Sequence, residues 1–101
     1  MAQLSIVFWR DIPAQVVVKE GRKTARRILP ERFEQAIDRC AMKVGARDSD
    51  AYLAEWRRSD PVHVDGDVEA AAQDAAARLV SEYDGNTVKK LIEQGGWSSP
   101  A

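Results

Sequence analysis

The spacing of apolar positions changes along the chain, and with it the element it predicts. From Leu4 to Trp9 the residues are mostly β-branched, aromatic or aliphatic, the pattern of a strand covered on at least one face. Asp11-Ile12-Pro13 interrupts it, because proline lacks the donor that a central ladder uses. Val16-Val17-Val18 resumes the strand, and Glu20-Gly21 offers a second turn. Together these read as a hairpin joined through Asp11 to Ala14, which is not one of the sharp two-residue connections. Ile28 and Leu29 suggest a short third strand over Thr24 to Leu29.

Farther along, the period lengthens to that of a helix. In "LPERFEQAIDRCAMKVGA" Pro30 suits the first turn, where its missing N–H goes unused, and Glu31 and Glu34 favour the positive end of the helix dipole. Phe33, Ile37, Cys40, Ala41 and Val44 make one apolar stripe, and Gly45 is the natural stop. Asp67 can cap a helix from Val68 to about Tyr83 whose inward face is Val68, Ala72, Ala75, Leu79 and Tyr83. After the Asp84-Gly85-Asn86 break, a short helix from Thr87 to Gln94 buries Val88, Leu91 and Ile92, and Gly95-Gly96 ends it. The tail from Trp97 to Ala101 is expected either to fray or to dock loosely.

Between the helical stretches, "AYLAEWRRSDPVHVDGD" echoes the N-terminal strand region. Trp56-Arg57-Arg58 leads through Asp60-Pro61 to Val62-His63-Val64, much as Trp9-Arg10 leads through Asp11-Ile12-Pro13 to Val16–Val18. This suggests two related β-hairpin-then-helix halves, with chance similarity as the alternative. The expected fold is one α+β domain over residues 1–101: a small antiparallel sheet with helices packed on one face.

Composition sets limits on function. At 101 residues, 45% hydrophobic and 31% charged, the chain has the makings of a single small core. No apolar run approaches the ~18 residues that span a bilayer, and neither end reads as a charged-then-apolar leader, so the expected location is the cytoplasm with no membrane partner. Net charge is −1 and the pI is about 5.8, which argues against a dedicated nucleic-acid binder. The halves differ, however: residues 1–50 carry net +3 and residues 51–101 net −4. One end of the molecule is therefore expected to be basic and the other acidic.

No set of residues advertises catalysis, and none is assigned as catalytic. His63 is the only histidine and alternates with Val62 and Val64, as a side chain pointing out of a strand would. Cys40 is the only cysteine, which excludes an internal disulfide and a cysteine-based metal cluster within one chain, and its place on an apolar stripe suggests packing. Asp60, Asp65 and Asp67 fail the calcium-loop spacing, and the glycines fall in no phosphate-binding motif. Neither a metal nor a cofactor is expected.

Two features point to a binding surface instead. Lys19, Arg22, Lys23, Arg26 and Arg27 place five cations in nine residues, with Glu20 the sole acid. The alternative is a solvated hairpin edge on which cations discourage sheet-to-sheet pairing. The second feature is the Trp-Arg pairs. Trp9 and Trp56 are either interface anchors or core residues; if core, strand alternation puts Arg10 and Arg57 together on the open sheet face, and Arg58 completes the candidate set at the face and edge.

The segments "IVFWRDIPAQVVVKEGRK", "LPERFEQAIDRCAMKVGA" and "DAYLAEWRRSDPV", in that order, resemble the small bacterial virulence-factor domain family from roughly Leu4 to Gly95. The resemblance implies an accessory role in bacterial metabolism or regulation, in the company of methyl-transfer and folate or corrinoid proteins. It carries over no active-site residue. The expected function is thus a non-catalytic accessory or adaptor protein that binds a cytoplasmic protein partner of unknown identity. A nucleic-acid or nucleotide-binding module using the basic hairpin, and a small-molecule-binding or catalytic domain with a pocket the sequence does not reveal, are the alternatives. A homodimer through a sheet edge or the tail around Trp97 stays open.

Overall fold

The computed structural model describes residues 2–45 and 49–98. Their elements run β1 (Ala2–Trp9), β2 (Ile12–Glu20), β3 (Lys23–Ile28), α1 (Glu31–Lys43), α2 (Ser49–Ala54), β4 (Trp56–Arg58), β5 (Val62–Val64), α3 (Val68–Glu82) and α4 (Gly85–Glu93). The strands form one antiparallel sheet, in which β3, β2 and β1 are consecutive neighbours and β4 and β5 both lie against the outer side of β1. With its helices, this is the α+β fold that the apolar periods predict.

The first hairpin turns more sharply than expected. Trp9 pairs directly with Ile12, so Arg10 and Asp11 alone make the connection, and Arg10 takes a positive φ of 54°. Such a backbone is the province of glycine, and a bulky residue holds it only when its surroundings fix it there. The expected connection over Asp11 to Ala14 is corrected accordingly, since Ile12 and Pro13 already belong to β2. Pro13 faces Phe8 beside an irregularity in the register, past the end of β3, a place where a missing donor is tolerated.

The second half departs further from expectation. Trp56–Arg58 faces Trp9–Val7, and Val62–Val64 faces Leu4–Ala2. These two strands pair with β1 and not with each other, so they are one edge strand broken at Ser59-Asp60-Pro61. Ser59 spans the break, its N–H donating to the Ile6 carbonyl at 2.9 Å and its hydroxyl accepting from the Ile6 N–H at 2.8 Å. The related-halves reading therefore does not extend to the pairing: among the described residues the second half forms no hairpin, and the apolar segment before Trp56 is the helix α2.

The helices follow their apolar stripes. Phe33, Ile37, Cys40 and Ala41 of α1 are buried, while Val44 lies past the helix end and is partly exposed. Asp67 caps α3 by accepting from the Ala70 N–H, and Val68, Ala72 and Leu79 are buried. Asp84 caps α4 through the Thr87 N–H, so the helix opens at Gly85, two residues before the position expected.

Two apolar clusters result. In the larger, Val68, Ala72 and Leu79 of α3 pack on Leu4, Val16, Val18 and Ala25 of the sheet, joined by Phe33 and Val88. In the other, Trp9 and Ile12 meet Ile37, Cys40 and Ala41 of α1 and Leu91 of α4 at the turn end of the sheet. Because Leu4, Val16, Val18 and Ala25 face α3, alternation sends Ser5, Val17, Lys19 and Arg26 to the opposite face.

Candidate functional site

The Arg10-Asp11 turn is the most heavily contacted point among the predicted site residues. The Arg10 N–H donates to the Glu55 carbonyl (3.1 Å), and the Asp11 N–H donates to the Gly96 carbonyl (2.7 Å). The Arg10 guanidinium donates to the Gly95 carbonyl and lies 5.2 Å from the Trp9 ring centre and 5.3 Å from that of Trp97. Its Nε is 3.5 Å from the Glu55 carboxylate. Arg57 donates to the Arg10 carbonyl (3.0 Å) and to Asp11 Oδ1 (2.6 Å), and its guanidinium stacks on Phe8. Arg10 and Arg57 do meet, but around the hairpin turn, engaged with the chain's own groups, and not side by side on the open face. The positive φ at Arg10 and the change of register beside Phe8 redirect both side chains.

The tail belongs to this cluster. Ser98 donates its N–H to Asp11 Oδ2 at 2.7 Å, and Gln94 donates to the Trp97 carbonyl at 2.8 Å. Trp97 and Ser98 are docked; 99–101 lie outside the described residues.

Asp11 feels opposing effects. Burial works against its charge, but the Ser98 N–H and the Arg57 guanidinium outweigh it and hold the carboxyl below the ordinary value of 3.8. A depressed folded-state pKa stabilises the fold fully above the unfolded value and loses that contribution as pH falls through the folded one. Asp11→Asn should therefore be less stable than wild type at neutral pH, with the gap closing as the pH drops below 3.8. Urea melts across that range measure it, and a gap independent of pH would remove the carboxylate from the account.

The remaining predicted cations fall into two groups. Arg27 shares the α3 face, where it reaches Glu69 (2.6 Å) and Gln73 (3.3 Å) and also donates to the Arg26 carbonyl. Lys19 and Arg26 lie on the open face, and Arg58 stands opposite Val7 on that same face. Arg22 occupies the β2–β3 turn after Gly21, whose φ is +60°, and Lys23 begins β3. All five are exposed, and among the described residues none has an ion-pair partner. Their sheet neighbours across the open face are Gln3, Ser5, Val7, Gln15, Val17 and Thr24, with Ile28 at 80% exposure. Among the described residues no acid occupies an open-face strand position.

The two tryptophans that the sequence pairs have different fates. Trp9 is wholly buried, stacks on Tyr52 with centroids 5.9 Å apart, and donates its indole N–H to the Tyr52 carbonyl at 2.9 Å. Trp56 is half-buried and meets Tyr52 edge-on, at 80° and 5.9 Å. Beside this pair lies a cavity of about 190 Å³ lined by Ala14, Gln15, Ile28, Leu29, Glu34, Ile37, Tyr52 and Trp56. Sequence reasoning missed it, since its walls come from five elements and their loops. The spacing of Tyr52 and Trp56 on adjoining elements was the one local signal.

His63 and Cys40 offer no chemistry to this cavity. His63 sits at the far edge, 3.1 Å from Asp65, and neither residue lines the pocket. Cys40 is buried, and desolvation pushes its thiol above the ordinary value. Among the described residues no three histidine, cysteine or acidic side chains gather as metal ligands, and no helix is long and apolar enough to cross a membrane.

An α+β domain with exposed cations along one sheet face, over the buried Val17 and Ser5, is thus the class of molecule that the fold and the site define. A family model described as virulence factor matches residues 7–92, and the chain belongs to that family. Neither the curated proteins nor the solved structures contain a match.

Proposed function

We propose that this domain is a non-catalytic accessory or adaptor protein that docks an acidic surface of a protein partner on its open sheet face. The observation that carries the reading is the face itself: Lys19, Arg26 and Arg58, with Arg22 in the adjoining turn, have no ion-pair partner among the described residues, whereas Lys23 falls with Ala25 on the α3 side. Unpaired cations around half-buried Val7 and exposed Ile28 match the arrangement of an interface with an apolar centre and a charged rim. The setting proposed is the bacterial cytoplasm, with a link to methyl-transfer and one-carbon metabolism as the family resemblance implies.

The test compares wild type with Lys19→Glu/Arg22→Glu/Arg26→Glu and with a control reversal, Arg78→Glu, on the exposed side of α3. The partner recovered with wild type and control should be lost from the triple variant, with affinity reduced about tenfold or more. Melting curves of all three should agree within about 0.5 kcal/mol, because these side chains are exposed. Equal recovery by the triple variant would remove the face from the model.

A nucleic-acid or nucleotide ligand would use the same cations. Its binding would fall steeply with added salt and would be competed by duplex DNA. The net charge of −1 and the lack of aromatic residues within the run from Lys19 to Arg27 favour the protein partner.

A further inference from the structure

The cavity at the end of the open face has a chemistry of its own, opposite in sign to the basic surface. Tyr52 and Trp56 stand at 80° to each other and supply two of its walls. Aromatic faces at right angles can both turn their negative quadrupole toward a single guest. Trp9, stacked behind Tyr52 and bonded to its carbonyl, fixes the first wall in place. The only charged lining residue is Glu34, which has no cationic partner among the described residues. Neither Arg58, two residues after Trp56 on β4, nor Arg26, two residues before Ile28 on β3, lines the cavity.

The geometry points to this cavity as a binding site for a small organic cation carrying a methylated ammonium group. Three properties select that guest over a neutral one or a bare ammonium. The aromatic walls and Glu34 favour positive charge. Ala14, Leu29 and Ile37 supply aliphatic surface for methyl groups. Acceptors are few, only the Gln15 amide and the Glu34 carboxylate among the side chains besides the Tyr52 hydroxyl, so a cation that needs no hydrogen bonds pays the smallest desolvation penalty. The field agrees with the geometry: burial first, then the carboxylates of Asp38 and Glu34, hold the Tyr52 phenol above its ordinary value. Ile28, 80% exposed at the mouth, gives the bound group an apolar lip.

This inference stands apart from the docking of an acidic partner, because the two sites differ in place and in sign of charge. The test uses choline and its neutral carbon isostere, 3,3-dimethylbutan-1-ol, on the full chain. Choline should bind saturably, shift the Trp56 indole N–H resonance and exceed the isostere in affinity by about tenfold. Glu34→Gln, an exposed change that leaves the core intact, should weaken choline severalfold and leave the isostere unaffected. Trp56→Leu should weaken choline further, and a melting curve for each variant confirms that it folds. Equal affinity for the two probes would make the cavity a simple apolar anchor for a neutral side chain and overturn the proposal, as would saturable binding by neither probe. Choline affinity unchanged in both variants would place its binding elsewhere, with the same consequence.

Discussion

Trp9→Ala should destabilise the domain by about 3–5 kcal/mol, the range for truncating a large buried aromatic residue. Trp9 is 0% exposed and packs between the turn end of the sheet and Ile37, Cys40 and Ala41 of α1. Its loss would leave a cavity at the junction of four elements and take away the donor that reaches the Tyr52 carbonyl at 2.9 Å. Against the roughly 5–15 kcal/mol that holds a domain together, such a loss approaches global unfolding. Trp9→Phe keeps most of the apolar area but not the N–H, and should cost less. Urea denaturation followed by circular dichroism gives both values. A cost below about 1 kcal/mol for Trp9→Ala would mean that the second cluster is not a working core.

Gly96→Ala should be nearly as damaging, for a different reason. Gly96 has φ +92°, a region closed to side chains, and an added Cβ would meet Arg10 Cδ at 2.9 Å, Arg10 Cβ at 3.2 Å and Cys40 Sγ at 3.3 Å. The arginine cannot simply swing aside, because its guanidinium is held by the Gly95 carbonyl and lies against two indole rings. The expected cost is about 2–4 kcal/mol, from backbone strain together with release of the tail from the hairpin turn. Gly21→Ala is the informative control: its φ is +60°, yet nothing lies within 4 Å of the added Cβ, so it measures backbone strain alone. Chemical denaturation of both variants separates the two contributions. Equal costs would show that the contact with Arg10 adds nothing.

Arg10 explains why the candidate site was only partly legible in the sequence. Trp-Arg followed by proline stands out as a motif, and strand alternation alone places both arginines on an open face. Alternation fails there because a non-glycine residue occupies a left-handed turn position. That conformation depends on Gly95, Gly96, Trp97 and Ser98, which lie 85 or more residues away along the chain. No local pattern can encode a contact at that separation. The cluster from Lys19 to Arg26 was legible because exposed charges announce themselves by composition, whereas the division between Arg26 on the open face and Arg27 on the α3 face needed the register of β3.

Local pattern is enough to set the elements whose faces repeat: β1, the valines of β2, the stripe of α1 and the alanine-rich inner side of α3. In these, burial follows a period of two or of about 3.6 residues, and the period is a property of neighbouring positions. It takes the folded chain to bring β4 and β5 to one edge of β1, to lock Trp97 and Ser98 onto the first hairpin, and to enclose a cavity between Tyr52, Trp56 and Glu34 beside Ile28. Each of these joins residues far apart in sequence. Their energies come from contacts that exist only once the chain has closed on itself, so local propensity carries no record of them.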